Sequence, residues 1–171
     1  MRASALRFHG LVIRPVASPD PTVEVLLVED NPGDVELVRI AFSEAGLLNP
    51  LRVVTDGEQA IAYLRRKPPF ERVQHPGLIL LDLNLPGKDG REVLKTLKSD
   101  PDLKQIPVCI LTTSDEPKDL VACYRLHANS YIQKPTAIAD LIDVAKQIKQ
   151  YWLHVVQLPP VRSTPSAKAA D

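Results

Sequence analysis

Short apolar runs alternate with helical patterns along most of this 171-residue chain, and that alternation limits the fold more than any other feature. Most of the runs are rich in Leu, Val and Ile, as expected for strands buried on both faces. They lie at 23–28, 51–54, 78–81, 108–111 and 130–133. Apolar residues at helical spacing follow each run, at 32–45, 56–66, 91–98, 117–127 and from 138 onward. Five βα units predict one domain with a doubly wound α/β fold, a five-stranded parallel sheet with helices on both faces.

The composition gives no sign of a nucleic-acid or membrane partner. The chain has 44% hydrophobic residues, 25% charged residues and a net charge of zero, so it predicts no basic surface for nucleic acid or anionic lipid. Its apolar stretches are too short for a membrane span or a signal peptide. Cys109 and Cys123 lack CxxC spacing and are predicted to be buried free thiols. These features favour a cytoplasmic protein whose partners must be identified from its sites.

Polar residues follow four of the five predicted strands. Glu29 and Asp30 come after the first strand, Asp82 after the third, Thr112 after the fourth and Lys134 after the fifth. Ligands of an open parallel sheet bind at the carboxyl ends of its strands. The sequence therefore predicts that these five side chains converge on one edge of the sheet.

These residue types are suited to phosphoryl chemistry. Neighbouring carboxylates repel one another unless they share a cation, and Mg²⁺ is a small cation that prefers oxygen ligands. With Mg²⁺ bound, an Asp carboxylate can attack a phosphoryl donor and form an aspartyl-phosphate. Lys134 can pair with the new charge, and the Thr112 hydroxyl can donate a hydrogen bond to a phosphoryl oxygen.

Some of these residues also have a purely structural interpretation. Asp30 or Asn31 could cap the following helix, and Thr112 could be an ordinary hydroxyl at a strand end. Asp56-Gly57 and Asp89-Gly90 are typical of turns that begin helices and need no chemistry. The presence of several such residues at different strand ends favours a functional site over separate structural roles.

Four segments of the chain carry a specific resemblance. LLVEDNPGD, LILLDLNLPGKDG, ILTTS and YIQKP resemble the motifs of response-regulator receiver domains, in the same order and in the corresponding loops. The spacings from Asp82 to Thr112 and from Asp82 to Lys134 are also similar to those of the family. The resemblance covers about residues 23–153 and implies a flavodoxin-like sheet of strand order 2-1-3-4-5.

The resemblance implies a role for each matching residue. Asp82 would accept a phosphoryl group from a histidine kinase, so the chain would be a phosphoacceptor with only self-catalysed phosphorylation and dephosphorylation, not an enzyme. Mg²⁺ would be held by Glu29, Asp30, Asp82 and the backbone carbonyl of Asn84. Lys134 and Thr112 would complete the catalytic set.

Further residues would transmit or time the signal. Thr112 and Tyr131 would move together on phosphorylation, although Tyr131 could instead be a core aromatic. Asn84 and Thr113 flank the expected path of the attacking water and are hypothesised to tune the lifetime of the phosphate. The Lys134-Pro135 peptide bond resembles one that is cis in the family.

Further features resemble the single-domain regulators that partner phytochrome-type histidine kinases: the segments NPGDVELVRIAF and LDLNLPGKDG, the long connection after the second helix, and the Tyr-Trp-Leu sequence after the last helix. We expect an extension at 1–22 that is flexible, the receiver domain at 23–153, and a C-terminal arm with a disordered tail at 154–171. We expect no DNA-binding output module, because few residues follow the last helix and they form no basic stripe. Apolar residues near the end of the chain predict a homodimer through the last helix and the arm. The alternative is that the arm folds back over its own domain. The residues concerned are Tyr151, Trp152, Val155, Val156 and Leu158.

Two other functions are compatible with parts of the pattern. A phosphohydrolase or phosphotransferase of similar chemistry usually has a second Asp two residues after the nucleophile, where this chain has Asn84. A receiver-like module could also act in protein interaction without phosphorylation, but such chains typically lose the acceptor, an acidic residue or the lysine. This chain keeps Asp82, Glu29, Asp30 and Lys134.

Overall fold

The computed structural model describes residues 22–160, together with the backbone of a short antiparallel strand pair, Arg7–Phe8 and Leu11–Val12. The rest of the predicted 1–22 extension and the tail from 161 onward lie outside the described residues. A five-stranded parallel sheet with strand order 2-1-3-4-5 forms the centre of the domain, as predicted. Its strands are β1 Val25–Val28, β2 Leu51–Val54, β3 Leu78–Leu81, β4 Val108–Thr112 and β5 Ser130–Gln133.

Helices cover both faces of the sheet. They are α1 Pro32–Glu44, α2 Gly57–Leu64, α3 Gly90–Ser99, α4 Pro117–Arg125 and α5 Ile138–Ile148, and α5 continues into a π-helical segment at Lys149–Val155. One buried cluster joins the sheet to α1 and α5 through residues such as Phe42 and Leu141. A second joins the other face to α2, α3 and α4 through residues such as Leu64, Leu94 and Cys123. The predicted α/β architecture is therefore confirmed.

Short polar side chains begin three of the helices. Asn31 caps α1, and its side-chain oxygen accepts hydrogen bonds from the backbone N–H groups of Gly33 and Asp34 at 2.8 and 3.2 Å. Asp56 and Asp89 cap α2 and α3 in the same way, as their Asp-Gly sequences predict. These caps place the first turn of each helix at the carboxyl edge of the sheet, where the predicted site residues lie.

The long connection between α2 and β3 is ordered by aromatic packing. Phe70 packs against the core, with its ring centroid 5.2 Å from that of buried Tyr63. The cis peptide bond within residues 22–160 lies here, at Pro68-Pro69. The expectation of a cis bond at Lys134-Pro135 is wrong, because this bond is trans in the structure. The trans form of an X–Pro bond prevails unless tertiary contacts select the other isomer.

The predicted arm residues divide into two groups. Trp152 and Leu158 pack against the cluster beneath α1 and α5, and Val156 is half-buried. Tyr151 and Val155 are 55% and 53% exposed. Part of the segment thus folds back on its own domain, while two of its apolar side chains face outward.

Within the described part of the chain, no helix is both long enough and apolar enough to cross a bilayer.

Candidate functional site

The ammonium group of Lys134 lies among three carboxylates at the carboxyl edge of the sheet. Its Nζ atom is 2.8 Å from Oδ2 of Asp82 and 2.9 Å from Oδ2 of Asp34, and it also donates a hydrogen bond to Glu29. Only 7% of the Lys134 side chain is exposed. The end of β5 therefore brings a buried cation directly to the residue that follows β3.

Asp82 is held by its backbone as well as by Lys134. Its N–H donates to the Val28 carbonyl at 3.1 Å, and its Oδ1 accepts from the Asn84 N–H at 3.2 Å. Burial alone would raise the pKa of Asp82, but the hydrogen bond and charge of Lys134, with smaller contributions from Thr112 and Asn84, hold the pKa below its ordinary value. Asp82 is consequently an ionised, buried carboxylate, a form that can act as a nucleophile.

The pKa values of Glu29 and Lys134 are both raised, but for different reasons. Burial raises the pKa of Glu29, and its contacts with Lys134 offset only part of that effect. Burial opposes the charged form of Lys134, but hydrogen bonds to Asp82, Glu29 and Asp34 outweigh it and raise the lysine pKa. The ammonium therefore remains charged at physiological pH and stabilises the carboxylates around it.

The structure brings one unpredicted acidic residue into the site and leaves one predicted residue outside it. Carboxylate oxygens of Glu29, Asp34 and Asp82 all lie within 4.8 Å of one another. Asp30, which the sequence predicts as a metal ligand, is exposed and does not belong to this group. Asp34 lies in the first turn of α1, and because that helix begins at the carboxyl edge of β1, its first-turn side chains can face the same site.

The donor set fits a small divalent cation. When Glu29, Asp34 and Asp82 are ionised, three carboxylates and the ammonium of Lys134 leave two negative charges on the cluster. A group of carboxylate oxygens with this excess charge suits Mg²⁺. When bound, Mg²⁺ would neutralise that charge and help to orient a phosphoryl donor.

The two predicted switch residues meet at Ser114. The buried Thr112 side chain accepts a hydrogen bond from the Ser114 N–H at 3.3 Å, and the Tyr131 hydroxyl donates to the Ser114 carbonyl at 3.0 Å. The Ser114 hydroxyl in turn donates to buried Asp119 of α4 at 2.7 Å, and Asp119 pairs with Arg91 of α3 at 3.2 Å. Sequence reasoning missed Ser114 and Asp119, which connect the site to two helices.

The two predicted lifetime-tuning residues lie next to each other at the opening of the site. Asn84 and Thr113 are both exposed, and the Asn84 amide donates a hydrogen bond to the Thr113 hydroxyl at 3.4 Å. Their role in setting the lifetime of the phosphate stays a prediction.

Comparison with known proteins agrees with this geometry. The family model for the response regulator receiver domain matches residues 25–146. Response regulator Rcp1 of Synechocystis sp. is 44% identical over 140 residues, which cover 82% of this chain and 95% of Rcp1. The probable methanogenesis regulatory protein FilR2 of Methanothrix harundinacea is 42% identical over 145 residues, covering 85% of this chain and 93% of FilR2.

Solved structures give the same result. The crystal structure of the Mn²⁺-bound form of Rcp1 has a TM-score of 0.76 with this chain at 43% identity, and the alignment covers 81% of this chain and 99% of that one. The phosphorylated cyanobacterial phytochrome response regulator RcpA has a TM-score of 0.77 at 43% identity, with the same coverage. The matched family model, the identities and the shared fold together show that this chain belongs to the response regulator receiver domain family.

Proposed function

We propose that this chain is a single-domain response regulator of a two-component phosphorelay, in which Asp82 accepts a phosphoryl group from a histidine kinase in the presence of Mg²⁺. One observation carries the proposal: the buried Asp82 carboxylate lies 2.8 Å from the Lys134 ammonium, with two further carboxylates within 4.8 Å. The phosphorylated and Mn²⁺-bound states of RcpA and Rcp1 support it by similarity. We also propose a cytoplasmic location, because histidine kinases draw on the ATP of the cytoplasm.

The transfer needs no catalytic group beyond the site itself. An oxygen of the Asp82 carboxylate forms a bond to the phosphorus of the donor's phosphohistidine, and the P–N bond breaks with its electron pair left on the imidazole nitrogen, which takes a proton from solvent. Lys134 and the Thr112 hydroxyl bind the charged phosphoryl oxygens. Hydrolysis by water breaks the P–O bond, restores the Asp82 carboxylate and releases inorganic phosphate. Thr112 and Tyr131 would respond to the phosphoryl group, and Asn84 and Thr113 would set how long it lasts.

Incubation with acetyl phosphate and Mg²⁺ should add one phosphoryl group per chain, labile to both acid and base, which intact-protein mass spectrometry detects. The variant Asp82→Asn should remain unmodified, because an amide is not a nucleophile of this kind. Asp143→Asn is a matched control, since Asp143 lies on the exposed face of α5 with 65% of its side chain accessible. If wild type stays unmodified, or if Asp82→Asn is modified equally, the phosphoacceptor role of Asp82 is refuted. The remaining function is then that of a receiver-like module that acts in protein interaction without phosphorylation.

We further propose that the donor is a phytochrome-type histidine kinase. The similarity to RcpA, a phytochrome response regulator, supports this partner. FilR2, however, has nearly the same identity to this chain, so the assay must include unrelated kinases. We expect phosphotransfer to be faster from an autophosphorylated phytochrome-type kinase than from kinases of other input classes. Equal rates would contradict this proposal.

We also propose that the chain forms a homodimer through α5 and the following segment. Exposed Tyr151 lines a groove of about 360 Å³ between β5 and α5, and exposed Val155 lies one turn further along. Burying these two side chains in a second copy would remove apolar surface from water. The proposal concerns only the outward-facing part of the arm, because Trp152 and Leu158 pack against their own domain.

The double variant Tyr151→Ser with Val155→Ser should shift the protein from dimer to monomer, since it removes the two outward-facing apolar side chains of this segment. Multi-angle light scattering measures the change. Leu48→Ser is the control, because Leu48 is 87% exposed and lies away from this groove. A wild-type monomer, or a dimer that persists in the double variant, would refute the proposed interface.

A further inference from the structure

The hydroxyl of Thr112 is oriented by a neighbouring backbone group. Thr112 is fully buried, and its Oγ1 accepts a hydrogen bond from the Ser114 N–H at 3.3 Å. A hydroxyl has one hydrogen to donate and two lone pairs that accept. Because the Ser114 N–H occupies an accepting position, the hydroxyl hydrogen remains available for Asp82. Burial would raise the Asp82 pKa, and hydrogen bonds with Lys134 and Thr112 lower it. Ser114 thus determines the direction in which Thr112 donates.

The position of Ser114 depends mainly on its side chain. Its hydroxyl donates to Oδ2 of Asp119 at 2.7 Å, and this bond is shorter than the 3.0 Å bond from the Tyr131 hydroxyl to the Ser114 carbonyl. Hydrogen bonds from a hydroxyl to a carboxylate are short, and they are stronger than those between neutral groups. The hydrogen bond to Asp119 is therefore the strongest of the contacts that hold Ser114 next to Thr112.

Asp119 is in turn fixed with respect to Asp82. It is buried in the first turn of α4, and its Oδ1 lies 3.2 Å from Nη1 of Arg91. Arg91 follows Gly90 in α3, and the Gly90 N–H donates at 3.0 Å to the carbonyl of the residue after Asp82. Contacts that start at the loop of the phosphoacceptor thus pass through α3 and α4 and return to the site at Ser114.

We propose that Ser114 and Asp119 are positioning residues that hold the Thr112 hydroxyl in place to donate to a phosphoryl group on Asp82. This inference rests on the proposed function of Asp82 and deepens it. Neither residue needs to touch the phosphoryl group, because each acts through Thr112. A donor that is already oriented stabilises an arriving charge without reorganisation. Loss of that orientation should therefore weaken the binding of a phosphoryl group at the site.

The test measures the affinity of the full chain for beryllofluoride, a non-covalent mimic of the phosphoryl group, by isothermal titration calorimetry at saturating Mg²⁺. Ser114→Ala removes the hydroxyl, keeps both backbone groups and changes no charge, and it should lower the affinity about tenfold. Asp119→Ala should lower it by a similar factor, and Ser114→Ala alone decides the question if Asp119→Ala does not fold. Both substitutions are then combined with Thr112→Val, which keeps the side-chain shape but lacks the hydroxyl. In that background neither should weaken binding further.

The control is Glu116→Ala, which removes an exposed carboxylate at the start of α4 that pairs with Lys118 and makes no capping hydrogen bond. It should bind beryllofluoride as wild type does. Equal weakening by Ser114→Ala with and without the Thr112 hydroxyl would mean a general structural role and would overturn the inference. Unchanged binding by Ser114→Ala or by Thr112→Val would also overturn it, and in each of these cases the proposed function stands. If wild type, like Asp82→Asn, binds none, the proposed function and this inference both fail.

Discussion

Replacing Lys134 by methionine is expected to abolish stable phosphorylation of Asp82 and to lower the free energy of unfolding by about 3 to 5 kcal/mol. The substitution keeps most of the apolar stem but removes the ammonium. Asp82 and Glu29 then remain buried without a cation, at 6% and 1% side-chain exposure. The stability loss arises from these unpaired carboxylates rather than from lost packing.

The pH dependence of this loss follows from the shifted pKa values. Because the folded pKa of Asp82 lies below its ordinary 3.8, the stability contributed by its pair with Lys134 is present above pH 3.8 and is lost as pH falls through the folded value. Because the folded pKa of Lys134 lies above its ordinary 10.5, its contribution is complete below pH 10.5 and is lost as pH rises through the folded value. The stability difference between wild type and Lys134→Met should therefore be nearly constant from pH 7 to pH 10.

Urea unfolding at pH 4, 7 and 10 measures this difference. The deficit of Lys134→Met should shrink at pH 4, since the unpaired carboxylates can then take up protons. Lys146→Met is the matched control, because Lys146 forms an exposed pair with Asp143 at 2.8 Å and such pairs contribute about 0 to 1 kcal/mol. A deficit no larger than that of the control, or one that disappears between pH 7 and pH 10, would show that Lys134 does not neutralise a buried cluster.

The sequence predicts the sheet well because the strands depend on local apolar runs. The limits of β2, β3 and β5 agree with the predicted runs. Helix ends are less well predicted. α2 and α4 end before the predicted 66 and 127 because Arg66 and His127 adopt positive φ values of 51° and 66°. Neither residue is a glycine or asparagine, so nothing in the local sequence indicates these left-handed positions.

The candidate site is partly predictable for a similar reason. Strand ends determine the positions of Glu29, Asp82 and Lys134, and the rule that parallel strands end at one edge brings the three together. That rule says nothing about residues in the next helix, so it misses Asp34. The role of Asp30 as a ligand of Mg²⁺ stays a prediction. The direction of the Asp34 side chain depends on the Asn31 cap, which orients the first turn of α1.

Contacts that join separate elements are the least predictable from sequence. The link from Ser114 to Asp119 and then to Arg91 depends on how α3 and α4 pack beside β4. A buried Asp in the first turn of a helix has no distinctive local pattern. The fold can thus be predicted from the periodicity of the sequence, and the site from the topology of the sheet. The contacts that connect the site to α3 and α4 can be identified only from the three-dimensional structure.

Replacing Gly90 by alanine is expected to destabilise the domain by about 3 kcal/mol and to reduce phosphorylation of Asp82 at the same time. Gly90 is the first residue of α3 and is buried. A Cβ atom at this position would lie 2.2 Å from the carbonyl oxygen of Asp82 and 2.7 Å from the Cα atom of Leu83. Both are backbone atoms, so relief of the clash requires movement of the loop that carries the phosphoacceptor.

Gly87 provides the control that separates a clash from backbone strain. It has a φ of 71°, and nothing lies within 4 Å of a Cβ built there. Gly87→Ala should therefore cost only about 1 to 2 kcal/mol, the penalty of the left-handed conformation for a residue with a Cβ, and should leave Asp82 in place. Thermal unfolding and acetyl phosphate labelling of both variants measure the two effects. Because the Gly90 clash involves Asp82 itself, labelling of Gly90→Ala should fall even at temperatures where this variant is fully folded. Normal labelling of folded Gly90→Ala would contradict this expectation. It would mean that α3 moves away and that Asp82 keeps its position.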